Sequence, residues 1–266
     1  MTYSYTQISQ YLACPRRYRY RYIDDWRERD NRASLLFGRV FEQAVAAYFR
    51  GQDCGDVLVE AWSAYKDTPL VYSRGDTWED MLRQGLLLLK QLVADDRISI
   101  RQPEHDLQIK FQRQLSSDSS FVAYIDAIGR LDGRRCLMDF KTTSSRYPEG
   151  VQACLNLDPQ LICYSWISGL SEVALVVFVR KQTPEIQYLR TTISEPQRQE
   201  FWELVEQTIQ QIEHASFLPH SGVRFPQNGC LSCSYLGLCT HNQSLIEARL
   251  LERTGDGRDW LDQLVY

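Results

Sequence analysis

No stretch of this 266-residue chain approaches the roughly 20 apolar residues that span a bilayer. The run Val173-Ala174-Leu175-Val176-Val177-Phe178-Val179 is far too short and reads as a buried central strand. The opening residues, Met1-Thr2-Tyr3-Ser4-Tyr5, lack the basic-then-apolar pattern of a secretory signal, so the expected location is the cytoplasm, with no membrane partner. A chain of this size without a signal has little use for a disulfide framework, which leaves its eight cysteines for other work. Internal repeats and low-complexity tracts are missing, which excludes solenoids and disordered arrays. Lysine is scarce, 5 against 25 arginines, and the net charge of −4 on its own argues against a nucleic-acid partner. What is present, 44% hydrophobic and 24% charged residues, is the composition of a folded soluble protein with ample core for one large α/β domain or two smaller ones.

The charge distribution argues against the net charge. Eight arginines fall between residues 16 and 39, and Arg16-Arg17-Tyr18-Arg19-Tyr20-Arg21-Tyr22 interleaves guanidinium and aromatic groups. Arginine pairs bidentately with phosphate and tyrosine stacks on unpaired bases, so Arg16, Arg17, Tyr18, Arg19 and Tyr20 are candidate DNA contacts. The competing reading is an amphipathic helix with tyrosines inward and arginines in water, its field diluted by Asp24, Asp25, Glu28 and Asp30.

The strongest chemical signal lies further on. Phe121-Val122-Ala123-Tyr124-Ile125-Asp126 reads as a strand, Asp132-Gly133 as a tight turn, and Arg135-Cys136-Leu137-Met138-Asp139-Phe140-Lys141 as the returning strand. Side chains alternate across a strand, so Asp139 and Lys141 share a face, and the hairpin can bring Asp126 beside them. Two carboxylates suit a hard divalent cation, and a nearby ammonium can orient an attacking water or stabilise charge on a phosphate in transition. Taken alone, Asp-x-Lys on a hairpin reads equally well as a surface salt bridge. It has company: Asp158-Pro159 opens a helix that puts Gln160 and Tyr164 on one face, and an earlier helix carries Gly38 one turn before Glu42, leaving room for another backbone to approach.

The cysteines give an independent signal. Cys230-Leu231-Ser232-Cys233 followed by Cys239 is C-x2-C-x5-C, a metal clip of three thiolates, and Cys14 could complete a four-sulfur set around either an iron–sulfur cluster or a structural zinc. Cys54, Cys136, Cys154 and Cys163 sit in apolar or helical surroundings and read as buried thiols.

Periodicity and punctuation predict helices at 6–23, 34–50, 56–66 and 77–94, the last with Leu86-Leu87-Leu88-Leu89 as core. An antiparallel meander at 105–115, 120–131 and 134–142 follows. The Gln160 helix then leads to a buried strand at 172–181, paired back by 185–193, and Ser194-Glu195-Pro196 starts a long helix to about Ala215. Residues 219–229 read as a loop delivering the cysteine clip, and 243–266 as helical.

The order Glu42, Asp126, Asp139-Phe140-Lys141, Gln160 and Tyr164 resembles the RecB-like branch of the PD-(D/E)XK nuclease superfamily, over most of the chain. The resemblance implies an α/β fold with a restriction-endonuclease-like core, a central mixed sheet flanked by helices. A helical N-terminal region (1–100) would carry Cys14 and Glu42, the nuclease core would occupy 101–219, and a cysteine-cluster region (220–266) would pack back on the N-terminus. It implies that Glu42, Asp126 and Asp139 ligate Mg²⁺ or Mn²⁺ with the Phe140 carbonyl, that Lys141 is the catalytic lysine, and that Gln160 and Tyr164 support the site and touch DNA. Glu42 stands where the branch usually carries histidine, which shifts metal preference toward harder ions, and Ala123 stands where glycine is frequent. The one-plus-three cysteine arrangement resembles the iron–sulfur staple of the CRISPR-associated Cas-four-type exonucleases and the AddB nuclease domain. That likeness implies a [4Fe–4S] cluster on Cys14, Cys230, Cys233 and Cys239, with zinc as the alternative. The activity implied is a metal-dependent DNA exonuclease acting on single strands or frayed ends in repair, recombination or CRISPR spacer acquisition, beside a helicase or integrase. The alternative is a degenerate DNA-binding scaffold of such a complex, and a zinc-stapled RNA-binding protein would leave the Asp-Asp-Lys set without a role.

Overall fold

The structure is a computed structural model and describes residues 1–29, 31–73, 75–219 and 229–251. The chain divides into two compact units: Met1–Asn31 with Glu203–Tyr266, and Arg32–Trp202. The helices of residues 33–94 fall in the same unit as the sheet and pack with it. Among the described residues no helix is long and apolar enough to cross a membrane.

The larger unit is built on a mixed sheet. Its strands are β1 (Ile98–Ser99), β2 (Leu107–Gln114), β3 (Ser120–Leu131), β4 (Arg134–Thr143), β5 (Glu172–Val179) and β6 (Glu185–Thr192). β1 and β2 both pair antiparallel with β3, β3 with β4 and β5 with β6, while β4 and β5 run parallel. This is the α/β architecture of a restriction-endonuclease-like core. The β3–β4 connection is Asp132-Gly133, with φ of 51° and 76°. Both central residues in the left-handed region is what the right-handed twist of a two-residue hairpin requires, and glycine meets it at no steric cost. β5 lies between a parallel and an antiparallel neighbour and is buried at every position after Glu172, which is why its sequence is a continuous apolar run rather than an alternation.

Helices α1 (Ala33–Phe49), α2 (Cys54–Ser63), α3 (Trp78–Ala94) and α4 (Pro159–Ser168) accompany the sheet. In α1 the apolar positions Leu36, Phe37, Val40, Phe41, Ala44 and Val45 recur at helical spacing and are all buried. Phe41 meets Phe178 edge-on at 4.9 Å, and Phe178 meets Phe140 at 6.1 Å, fixing α1 against the face of β4 and β5 that carries Phe140. Each such ring contributes roughly 1.5–3 kcal/mol by leaving water. A Cβ on Gly38 would sit 3.2 Å from Thr142 Oγ1, so the glycine clears a side-chain hydroxyl of β4, not a neighbouring backbone. In α3, Leu88 and Leu89 are core, whereas Leu87 is exposed and Leu86 only half-buried, because four consecutive leucines cannot all face one side of a helix. Cys54, Cys136 and Cys163 are buried, but Cys154 is exposed, on the 3-10 turns of Glu149–Leu157.

In the smaller unit the expected helix at 6–23 is broken into helix Tyr5–Ala13, a short helix Pro15–Tyr18 and a π-helical turn Arg19–Ile23. The break is at Cys14, extended at φ −167°, ψ 109°, as the residue before a proline prefers. Ser4 caps the first helix in a reciprocal box with Gln7. Arg27–Glu28 pairs antiparallel with Leu250–Leu251, two strands too short for any periodicity to announce. The expected helix at 243–266 is helical only over Gln243–Arg249 before that strand begins, and 252–266 lie outside the described residues, as do 220–228 of the expected loop.

Candidate active site

The pairing of β3 with β4 runs from Leu131↔Arg134 to Ala127↔Met138 and ends there. One residue further on stand Asp126 and Asp139, where the two strands part. The Phe140 N–H, beyond the ladder, donates to Asp126 Oδ2 at 2.6 Å. β4 meanwhile stays in register with β5, Asp139 opposite Leu175 and Lys141 opposite Val177. The fork therefore presents two acids and a lysine at one point of the sheet.

Lys141 Nζ donates to Asp139 Oδ1 at 3.1 Å and to Gln160 Oε1 at 3.0 Å, and Gln160 Nε2 donates to the Tyr164 hydroxyl at 2.7 Å. Asp158 caps α4 by accepting from the Gln160 and Leu161 N–H groups, and Pro159 fits the first turn, so the helix start sets where Gln160 points. Asp139 is 1% exposed, whereas Lys141 keeps 37% of its side-chain surface. Tyr164 is buried and its hydroxyl accepts from Gln160.

Glu42, on α1, is the third acid. Burial and the Asp139 charge raise its pKa, opposed by Lys141, by a hydrogen bond from Gln108 and by Arg39. Burial, then the charges of Glu42 and Asp139, hold Asp126 well above the usual carboxylate range. Burial also raises Asp139, against the pull of Lys141. For Lys141, burial works to lower the pKa, but the Asp139 and Asp126 carboxylates outweigh it and push it up. The lysine therefore remains an ammonium, while three crowded acids lack enough positive charge. Asp139 Oδ2 lies 3.0 Å from Lys141 Nζ without hydrogen-bond geometry and is a buried oxygen with no hydrogen-bond partner.

Two neighbours escape sequence reasoning. Gln108 of β2, at φ +49°, hydrogen-bonds Glu42 and accepts from Arg50 Nη2 at 3.1 Å, so an arginine–amide relay orients the third acid. Tyr147 is close enough for Lys141 and Asp139 to act on its hydroxyl, and Gln187 clamps its backbone by accepting from its N–H at 2.8 Å and donating to its carbonyl at 3.1 Å. A polar residue on an edge strand and a tyrosine in a loop carry no pattern that would single them out.

Among the described residues no three His, Cys, Asp or Glu side chains are gathered closely enough to cage a metal ion as they stand. The acids nonetheless fit a hard divalent cation: three carboxylates, all raised by burial and two of them also by a neighbouring acid of the set, one with an oxygen that no hydrogen bond satisfies, are the donor set such an ion takes.

The cysteine clip lies in the smaller unit with Cys14, and no cysteine forms a disulfide. Cys233 N–H donates to the Cys230 carbonyl at 3.1 Å, folding the clip into a turn. Burial raises the Cys233 thiol; the Tyr235 backbone and the Arg17 charge pull it down, and Cys239 and Cys14 push it up. The charges of Cys14 and Cys239 thus reach Cys233, although among the described residues these thiols are not gathered closely enough to hold a metal ion as they stand. Of the candidate DNA contacts nearby, Tyr18 is instead core: it is 2% exposed and packs on Tyr11, Tyr22 and Phe217. Arg19 is exposed and paired with Asp24 at 3.2 Å, Arg17 stands 4.0 Å from Glu28, and Arg16 acts on the Tyr20 hydroxyl.

A family described as the PD-(D/E)XK nuclease superfamily matches residues 2–240. Among solved structures, a provisionally named exonuclease from Eubacterium rectale aligns with a TM-score of 0.53 at 14% identity, over 90% of this chain and 87% of that one. A second, titled SSO0001, aligns with a TM-score of 0.43 at 17% identity, over 90% and 86%. At these identities the first speaks to the fold alone and the second carries no weight. No curated protein matches the sequence.

Proposed function

The chain belongs to the PD-(D/E)XK nuclease superfamily, and from that premise we propose that it is a divalent-metal-dependent DNA exonuclease of the RecB-like branch, acting on single strands or frayed ends. The observation that carries this reading is the fork of β3 and β4, where Asp126, Asp139 and Lys141 meet with Glu42 and Gln160. Glu42, Asp126, Asp139 and the Phe140 carbonyl would hold Mg²⁺ or Mn²⁺. When bound, such an ion supplies charge neutralisation at a phosphate and a water of lowered pKa.

The rest is the chain's own work. Asp139 and Gln160 fix Lys141 Nζ from two sides, so its ammonium is aimed before substrate arrives and needs no reorganisation to meet negative charge developing on a phosphodiester. The raised pKa keeps it charged through neutral pH, so it acts as an electrostatic stabiliser and a donor rather than as a base. Tyr164 orients Gln160, and Gln108 with Arg50 orients Glu42. In the smaller unit, Cys14, Cys230, Cys233 and Cys239 would hold a [4Fe–4S] cluster, or a zinc ion in its place, joining residues far apart in sequence. Repair, recombination or spacer acquisition, alongside a helicase or an integrase, are the settings this chemistry suits.

The test is hydrolysis of end-labelled single-stranded, blunt and frayed DNA by purified protein with Mg²⁺, Mn²⁺ or EDTA. Degradation from ends that needs either ion supports the reading; undiminished hydrolysis in EDTA, or binding without hydrolysis under every condition, overturns it.

A further inference from the structure

The hairpin of β2 and β3 is covered on one face. Along β3, Phe121, Ala123, Ile125 and Ala127 are buried, while Val122, Tyr124 and Asp126 alternate with them and are half-buried. β2 repeats the pattern, with Lys110 and Gln112 exposed beside half-buried Ile109 and Phe111. Helix α4 packs on the buried side, where Trp166 meets Phe121 edge-on at 5.3 Å. Alternation puts Val122, Tyr124, Lys110 and Gln112 on the other side. The register sets Lys110 directly opposite Tyr124, and Lys110 Nζ stands 6.0 Å from the Tyr124 ring centroid.

This face runs into the candidate active site. Tyr124 precedes Asp126 by two residues, one pleat repeat of roughly 7 Å along the strand. Gln108, between the pairs Leu107↔Ala127 and Ile109↔Ile125, stands opposite Asp126 and accepts from the exposed Arg50 at 3.1 Å. Among the described residues of the two strands, Asp126 is the one acid on this face. Outward from the acids the face therefore offers two cations, one aromatic ring and two amides. A ring beside cations is the combination that holds an unpaired strand: the ring takes the face of a base and the cations take phosphates.

We propose that this face is the track along which an unpaired DNA strand reaches the fork, Tyr124 stacking on a base next to the scissile phosphate and Lys110 taking the adjoining phosphate. This rests on the nuclease reading above. Tyr124 thereby selects unpaired DNA, since a base still paired and stacked in a duplex does not offer its face to the ring. Lys110 lies at the outer limit of cation–π attraction, about 6 Å, so the ring holds the ammonium only loosely and a phosphate can draw it away. Arg50 adds positive charge at the end of the track nearest the acids.

The experiment compares Tyr124→Phe, Tyr124→Leu and Lys110→Gln with the unaltered full chain. Binding of a fluorescent oligothymidylate and of a blunt duplex is read by anisotropy in EDTA over a range of salt, and hydrolysis of end-labelled single strands in Mn²⁺. Tyr124→Phe keeps the ring and should bind as the unaltered protein does. Tyr124→Leu keeps apolar bulk but loses the π face, and should weaken single-strand binding about 5- to 100-fold while changing duplex binding far less. In hydrolysis, one abasic residue moved stepwise from the end should abolish the Tyr124→Leu penalty at one position, which a merely structural role does not produce. Lys110 is exposed, so Lys110→Gln does not endanger folding; it should lower the slope of log affinity against log salt by about one. An unchanged slope in Lys110→Gln overturns the proposal, and so does Tyr124→Leu binding single strands as the unaltered protein does. Should Tyr124→Leu fail to fold, the Lys110→Gln slope decides alone. If the unaltered protein binds single strands but hydrolyses nothing, the nuclease reading fails while the binding comparisons still judge this one. If it hydrolyses them and those comparisons show no change, only this proposal fails.

Discussion

Asp126 Oδ2 accepts the Phe140 N–H at 2.6 Å, one residue beyond the point where their two strands cease to pair. A carboxylate thus takes the place of a ladder partner and props the fork open at the position where Asp139 and Lys141 emerge. The same contact ties the geometry of a ligand strand to a candidate metal ligand, so a change at Asp126 reaches the opposite strand.

That contact makes a pH prediction. Burial raises Asp126, Glu42 and Asp139 above their unfolded values of roughly 4, and the charges of neighbouring acids add to it. Groups raised in the folded state contribute stability that is fully present below the unfolded value and is lost as pH rises through the folded values. Metal-free protein in EDTA is therefore expected to lose thermal stability as pH climbs from about 4 toward neutrality. Asp126→Asn, which keeps the acceptor oxygen, should flatten that decline, and adding Mg²⁺ to the unaltered protein should reverse it. A melting temperature that rises over the same interval in EDTA would contradict the sign.

Glu42 should respond to its support as well as to its own removal. Gln108→Ala frees Glu42 from the relay that begins at Arg50, and loss of such outer partners typically weakens metal affinity about 10–100-fold. Calorimetric titration with Mn²⁺ measures this, and an affinity unchanged by Gln108→Ala would mean the relay does not hold Glu42. Glu42→His should keep some activity and shift preference toward Mn²⁺, since imidazole is the softer donor.

Much of this architecture is legible in the sequence because its signals are local. Asp132-Gly133 names its own turn, Asp158-Pro159 its own helix start, and the apolar run of β5 its burial on both faces. The Asp139–Lys141 pairing follows from strand alternation alone. What is not legible depends on long-range placement. Nothing in the Arg-Tyr run says that Tyr18 packs on Phe217 or that Tyr20 meets Cys239, roughly 200 residues away. Gln108 and Tyr147 reach the site from an edge strand and a loop, where no periodicity applies. The break at Cys14 was readable in principle, since proline disfavours helix in the residue before it, but a 3.6-residue period bridges one extended residue without trace.

The sulfur site predicts an effect at a distance in sequence. Cys14→Ser should lower bound iron or zinc as much as Cys233→Ser, since the Cys14 charge reaches Cys233. Elemental analysis reads this directly, about four irons per chain for a cluster or one zinc for a knuckle. Full metal content in Cys14→Ser would remove Cys14 from the set.

The central claim is that Lys141, aimed by Asp139 and Gln160, carries the charge that stabilises phosphodiester cleavage. Single-turnover hydrolysis of labelled single-stranded DNA by Lys141→Ala tests it most directly, with Mn²⁺ binding measured on the same protein. The account predicts a loss of at least about 10²–10³-fold in rate, the scale of removing one preorganised donor, with metal still bound. Hydrolysis by Lys141→Ala at the rate of the unaltered protein would contradict it.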